Sequence, residues 1–323
     1  DSVDSLLRNA DIGLVLNLTN PRDHYAVSAA ALAAGKHVYS EKPLAMEFDD
    51  AQRLYEQAKS AKRLLVSAPC SLLGETAQTM WRALRERAVG RVRLVYAEMD
   101  DGLVHRMPYR QWQSTNGLPW PYRDEFEVGC TLEHAGYCLA WLAMWFGPAQ
   151  SVSVFASTQV EDKLPAGEAP LNLDSPDFSV ACIRFADGVV ARLTCSIVAP
   201  HDRSIRVFGD EGVLSTKELW DNRAPVRSRR FMRIRRRMFL NPLATTHRLP
   251  RPPYGKPVGH PMDFCRGPAE MAASLREGRA CRMSPEFSLH VNELALAIHH
   301  ARCHGGEVRM TTRFEALEPM SWA

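Results

Sequence analysis

Apolar positions along this chain change period part-way through, and the change divides it into two kinds of structure. Leu14 to Leu18, Val38-Tyr39 and Leu64 to Val66 are short unbroken apolar runs of the sort buried on both faces of a parallel sheet. Helical spacing separates them. An alanine-rich stretch follows Asn20-Pro21, with Asp23 placed to cap it and Gly35 to end it as a left-handed residue. Asp49 to Ala61 puts Leu54 and Ala58 on one helical face, and Thr76 to Ala88 is a further amphipathic helix leading to a strand at Leu94 to Glu98. Gly129 to Gly147 is apolar almost throughout and predicts a buried helix stopped by Gly-Pro. From Gln150 the period falls to two, in SVSVFAS, FSVACIRFADG, VVARLTCSIVA and SIRVFGDEGVLST, which predicts a largely antiparallel sheet. Two terminal helices are expected at Met262 to Arg276 and Ser284 to Cys303, the second opened by Ser284 with proline at the first helical position. Between sheet and helices, Thr245 to Pro261 is proline-rich and reads as irregular connection, and Val160 to Asp174 as an exposed excursion.

Composition narrows the function classes. At 323 residues, 46% apolar and 24% charged, the chain has room for two globular domains. A net charge of +3 gives no general case for nucleic acid. The eight cysteines contain no C-x-x-C pair, which fits reduced thiols in a cytoplasmic protein and neither a disulfide framework nor a zinc site, so no metal is expected. No apolar run approaches the roughly 20 residues that span a bilayer.

The candidate chemistry starts at Glu41-Lys42-Pro43, at the carboxyl end of the second predicted strand, where open α/β sheets bind ligands. The turn T-N-P-x-x-H (Thr19 to His24), A-G-K-H-V (Ala34 to Val38) and E-K-P (Glu41 to Pro43), at this spacing, resemble the Gfo/Idh/MocA oxidoreductases. That resemblance implies a partial Rossmann-type parallel sheet domain over 1–69, lacking its first βα units. An α+β domain with a large, mostly antiparallel open sheet would follow over 70–323. It implies NAD or NADP as cofactor, with Leu18, Thr19, Asn20, Pro21, His24, Glu41 and Lys42 lining the nicotinamide end, and a cis bond before Pro43. No G-x-G-x-x-G fingerprint occurs in the sequence. Two readings stay open: a chain that has lost its first segment, or a sugar-binding or regulatory relative that has given up cofactor binding. A redox-neutral elimination through transient oxidation is a further possibility within the same site.

The helix at Gly129 to Gly147 corresponds to a family helix reading G-G-x-x-x-D-x-G-x-H-x-x-D. Glu133 stands at the aspartate, Ala135 at the glycine, Tyr137 at the histidine and Ala140 at the second aspartate. A tyrosine at the histidine position also occurs in the glucose–fructose oxidoreductase branch. The resemblance therefore implies a catalytic set of Lys42, Tyr137 and Glu133 acting on a carbinol or carbonyl carbon of a sugar or sugar derivative. Lys42 is expected to favour the ionised phenol of Tyr137. Glu133 would hold substrate hydroxyls or tune Lys42. His134, one residue off that face, reads as a structural histidine.

Three features remain. Asp100 to Glu127 is a long loop in which Trp112, Trp120 and Arg123 are candidate substrate contacts; the alternative is a loop packed on its own aromatics. Cys70 to Leu73 departs from the family's R-F/Y-x-P element. Arg223 to Arg237 holds eight arginines interleaved with apolar residues. In order of preference it reads as a solvated arm or subunit contact, a grip on an anionic part of the substrate, or a dock on anionic lipid. The expected partners are a small sugar-like substrate, including an anionic one, and further copies of the chain through the open face of the second sheet.

Overall fold

A computed structural model describes residues 2–114, 116–164, 167–171, 174–249, 260–303 and 306–323. The chain opens with α1 (Val3–Arg8), whose first turn is capped by the Ser2 hydroxyl accepting from the Ser5 amide. Then follow β1 (Leu14–Asn17), α2 (His24–Ala33), β2 (His37–Ser40), α3 (Phe48–Ser60) and β3 (Leu65–Ser67). The three strands form a parallel sheet in the order β1-β2-β3, each joined to the next through a helix. Gly35, at φ +73°, ends α2 in the left-handed conformation the sequence calls for.

Two expectations change here. Asp23 makes no side-chain cap; Pro21–Asp23 is instead a 3₁₀ turn that feeds directly into α2. Nor is the first strand buried on both faces: Leu16 is 45% exposed and Leu18 65% exposed. Val15 and Val38 meet α2 and α3 in one apolar cluster. On the opposite face α7 (Arg266–Glu277) packs on β2, while α8 (Pro285–His299) packs on β3 and α3 with Leu289 in the same cluster, and Leu16 at the sheet edge stays wet. Ser284 caps α8 by accepting from the Phe287 amide at 3.1 Å, with Pro285 at the first helical position, as read from the sequence.

After α4 (Glu75–Arg85) the second sheet is built from β4 (Val92–Asp100), β5 (Ser151–Ser157), β6 (Phe178–Arg184), β7 (Val190–Ser196), β8 (Ile205–Gly209), β9 (Gly212–Thr216), β10 (Val226–Ile234), β11 (Arg237–Leu240), β12 (Thr245–His247) and β13 (Glu307–Arg309). The order is β11-β10-β9-β8-β4-β7-β6-β5-β13, with β12 also on β10; every pairing is antiparallel except β4 with β7. The stretch from Thr245 is therefore not all irregular, since β12 borrows its hydrogen bonds from the edge of β10. Residues 250–259 of that connection, and Gly305 of the closing stretch, lie outside the described residues. Helix α8 covers one face of the sheet at β5 and β6. The other face carries Leu94, Tyr96, Phe155 and Phe208, with Arg192 and Arg206 stacked on Tyr96.

The two sheets share a core. Tyr39 and Val66 of the parallel sheet belong to the main apolar cluster of the larger unit. Helix α7 is held by a buried two-point ion pair from Arg266 to Glu75, at 2.6 and 3.1 Å. It can approach β2 only because Gly267 has no side chain: a Cβ there would lie 2.2 Å from the Tyr39 hydroxyl oxygen. Gly267→Ala should cost about 1–3 kcal/mol through overpacking despite its better helix propensity. Urea denaturation checks this, and an unchanged midpoint contradicts the packing described.

Candidate active site

The loop after β2 is positioned from below by two buried polar residues. Asn17, at the end of β1, donates through Nδ2 to the His24 carbonyl (3.0 Å) and the Ser28 hydroxyl (2.9 Å), while its Oδ1 accepts from the Thr19 hydroxyl at 2.7 Å. The His24 ring spans two loops, with Nδ1 at 2.6 Å from the Pro43 carbonyl and Nε2 at 2.9 Å from the Thr19 carbonyl. The Glu41 amide donates to the Asn17 carbonyl at 2.8 Å. The turn after β1 and the Glu41-Lys42-Pro43 loop are thereby fixed to one another, with a cis bond between Lys42 and Pro43. Sequence reasoning passed over Asn17, although a lone asparagine ending an apolar run is the available signal.

The opposing wall comes from the larger unit. The predicted helix at Gly129 to Gly147 is two elements: a π-helical turn, Thr131–Ala135, and α6 (Gly136–Phe146). Gly129 opens the turn at φ +83°, where a Cβ would lie 2.7 Å from Ser175 and 2.9 Å from the Pro176 carbonyl. From this turn Glu133 reaches Lys42: Nζ donates to Oε2 at 2.5 Å, with the side chains 15% and 9% exposed. Oε1 of Glu133 is buried as well. A short helix inside the expected loop, α5 (Tyr122–Val128), brings Glu125 to the same place. Glu125, Glu133, His134, Asp101, Trp112 and Trp120 line a cavity of about 50 Å³.

Charge around the Lys42–Glu133 contact is sorted by burial and neighbours. Burial opposes the Lys42 ammonium, but Glu133, with Tyr137 and Glu125, outweighs it and raises Lys42 above its ordinary value. Burial would raise Glu133, yet the Lys42 cation and hydrogen bonds from Lys42 and Glu125 hold it below the usual carboxylate range. Glu125, pushed up by burial and by the adjacent Glu133 charge to about 8, is a neutral acid at pH 7 that donates to Glu133. Burial pulls His134 down to about 4. Its neutral ring places Nε2 3.3 Å from Asp101 Oδ2 and leaves Nδ1 buried without a partner.

Tyr137 departs from expectation. It is 7% exposed, packs on Trp220 with ring centroids 4.8 Å apart, and burial pushes its phenol well above the ordinary value. The Lys42 charge offsets only part of this, so the group is a neutral phenol and not an activated phenolate. His134 lines the cavity. Trp112 and Trp120 also line it while packing on each other at 4.9 Å. Arg123 does not join them. It donates to the carbonyls of Ala169 and Pro170 and pairs with Glu168 at 3.5 Å, because two residues along a helix from Glu125 is the opposite side. Glu125 was missed because the prolines around it mask a seven-residue helix; Pro121 followed by Asp124-Glu125 is the start signal that was available.

Leu18, Thr19 and Asn20 lie exposed at the carboxyl end of β1, beside the half-buried Glu41. One apolar and three polar side chains at that crevice are a donor set suited to the nicotinamide ribose of a dinucleotide. The same turn is tied to α5, through Asn20 to Asp124 at 3.4 Å and Arg22 to Glu127 at 2.9 Å. Among the described residues no group of three His, Cys, Asp or Glu could hold a metal ion.

Residues 1–68 match the family model described as the oxidoreductase family with an NAD-binding Rossmann fold, and residues 77–215 match the GFO/IDH/MocA C-terminal domain. Trans-1,2-dihydrobenzene-1,2-diol dehydrogenase of Danio rerio is 23% identical over 213 residues, which are 66% of this chain and 57% of that protein. The chain thus spans less than two thirds of the length of such relatives. Two solved structures share the fold. The aldose-aldose oxidoreductase from Caulobacter crescentus, complexed with glycerol, has a TM-score of 0.71 at 19% identity, over 95% of this chain and 82% of that one. The WlbA dehydrogenase from Bordetella pertussis, in complex with NADH and UDP-GlcNAcA, has a TM-score of 0.69 at 18% identity, over 96% and 83%.

The raised Glu125 gives the site a signature in stability. An acid whose folded pKa lies above its unfolded value contributes stability that is present below the unfolded value and lost as pH rises through the folded one. Thermal stability should therefore decline as pH rises from the ordinary 4.5 to about 8, and Glu125→Gln should flatten that decline. Melting curves across this range check it; parallel pH profiles for both proteins contradict it.

Proposed function

Because this chain belongs to the Gfo/Idh/MocA oxidoreductases, we propose that it exchanges a hydride between NAD(P) and a carbinol or carbonyl carbon of a sugar or sugar derivative, with Lys42 and Tyr137 handling the reacting oxygen. The observation that carries this reading is the 2.5 Å contact between Lys42 and Glu133, which joins the nucleotide-side loop to the substrate-side turn at one point. The nicotinamide supplies or accepts the hydride. Leu18 to Pro21 and Glu41 line its ribose, and His24 acts behind them as a positioning residue through its bonds to Thr19 and Pro43.

Lys42 is a cation throughout, because its raised pKa removes it as a base. It donates to the substrate oxygen and stabilises negative charge that builds there during reduction. Tyr137, held as a neutral phenol, is then the group that gives that oxygen its proton. Both assignments give the site its proton-donating form, the one used when the carbonyl is reduced. One buried acceptor without a partner, His134 Nδ1, calls for a donor from outside the chain. A polyhydroxylated substrate carries such donors on adjacent carbons, and Trp112 and Trp120 offer aromatic faces to a sugar ring. The open face of the larger sheet, with Leu94, Tyr96, Phe155 and Phe208, supports a homo-oligomer joined there.

Tyr137→Phe should lower kcat by roughly 10²–10⁴ with little change in KM, measured as NAD(P)H consumption with a panel of aldoses, ketoses and their acids. Unchanged kcat would contradict the assigned proton transfer. Lys42→Met should lower kcat/KM by at least about 10² and also cost about 3–5 kcal/mol, since it leaves a buried Glu133 unpaired. Wild-type turnover in that variant defeats the reading.

A further inference from the structure

The basic stretch takes no part in the cleft. It is a two-stranded ribbon in which β10 turns at Arg235, φ +56°, into β11, pairing Phe231 with Leu240, Met232 with Phe239 and Arg233 with Met238. The first half of β10 belongs to the sheet, paired with β9 from Arg227 to Arg230; beyond Arg230 its only partner strand among the described residues is β11. Every residue from 229 to 240 is exposed. Strand alternation puts Phe231, Met238 and Leu240 on one face with Arg233, and Met232, Ile234 and Phe239 on the other with Arg230 and Arg237. A ribbon covering a core would have one apolar face; this one shows large apolar side chains and arginines on both, in water, with Ile234 at 51% and Met238 at 60% exposure.

Charge separates the ribbon from the rest of the molecule. Nine arginines and no acidic residue occur between 223 and 249, while the whole chain carries only +3, so the remainder is net negative. Arg230 pairs with Glu211 at 2.9 Å. Among the described residues Arg233, Arg235, Arg236 and Arg237 at the tip have no carboxylate within ion-pair distance.

We propose that this ribbon docks the protein on an anionic lipid bilayer surface, its tip arginines on headgroup phosphates and its apolar side chains in the interfacial layer. Only such a surface offers dense negative charge directly above an apolar phase, which matches both chemistries on both faces of the ribbon. Guanidinium groups fit phosphate with two parallel hydrogen bonds. Self-association of two ribbons would oppose like charges, and a nucleic acid has no apolar phase to take up Ile234, Met238 and Phe239. Among the described residues no helix is long and apolar enough to cross a membrane, so the attachment is peripheral.

The test is co-sedimentation of the full chain with vesicles of phosphatidylcholine alone and of phosphatidylcholine mixed with phosphatidylserine. Binding to the anionic vesicles is expected to be at least about tenfold tighter, and to weaken in high salt. Arg233→Glu with Arg236→Glu should reduce it to the neutral level, and Met238→Ser with Phe239→Ser should weaken it severalfold. Both variants should keep the wild-type melting point, since every altered side chain is exposed. The proposal is overturned if wild type is not retained on anionic vesicles, or binds both kinds equally. It is overturned equally if either variant retains full binding, or if the variants change the oligomeric state with no vesicle binding by wild type.

Discussion

Two opposite charges, one from the loop after β2 and one from the π-helical turn of the larger unit, are taken largely out of water and set the geometry of this molecule. Neither Lys42 nor Glu133 would be stable alone at its depth, because an unpaired buried ion is among the costliest features a fold can contain. Together, at 2.5 Å, they are tolerated, and the loop after β2 can therefore close on the π-helical turn in one arrangement only. Much of the neighbouring polar structure makes sense as support for that contact. His24 and Asn17 hold the lysine loop in register with the turn after β1, and α5 grips the same turn from the other side through Asp124 and Glu127. The site is thus assembled from two units whose shared core, through Tyr39 and the side-chain-free Gly267, leaves little room for relative movement.

The same pair governs the acid–base character of the cavity. An ionised Glu133 keeps Lys42 charged and keeps its second carboxylate neighbour, Glu125, protonated, so one proton sits in a hydrogen bond between two carboxyl groups. Desolvation dominates at Tyr137 and His134, leaving both neutral. The Lys42–Glu133 ion pair thus stands beside three neutral groups, Glu125, Tyr137 and His134, each able to give or accept a hydrogen bond.

Much of this was legible from local sequence, for reasons that can be named. Short apolar runs separated by helical spacing can only be a parallel sheet with crossovers, and that places Lys42 at the ligand end of β2. Ser284-Pro285 and Gly35 act through their own backbone, so their roles needed no tertiary knowledge. What escaped was set by packing. The π-helical turn depends on how Gly129 meets Ser175 and Pro176, far along the chain. The direction of the Tyr137 shift depends on the depth of the phenol, which the i, i+4 spacing from Glu133 does not encode; charge alone suggested the opposite sign. Arg123 and Glu125 looked equivalent in a loop and part company only because α5 turns them to opposite sides. Leu16 stayed exposed because coverage of a strand is decided by its neighbours and not by its own side chains.

A double-mutant cycle on Lys42 and Glu133, using Lys42→Met, Glu133→Gln and the pair together in urea denaturation, measures the central interaction itself. The single variants should each be strongly destabilised and the double variant much less than their sum, giving a coupling of about 1–3 kcal/mol. Losses that add to within about 0.5 kcal/mol would show that the two side chains do not meet in the folded protein, and the proposed site would have no foundation.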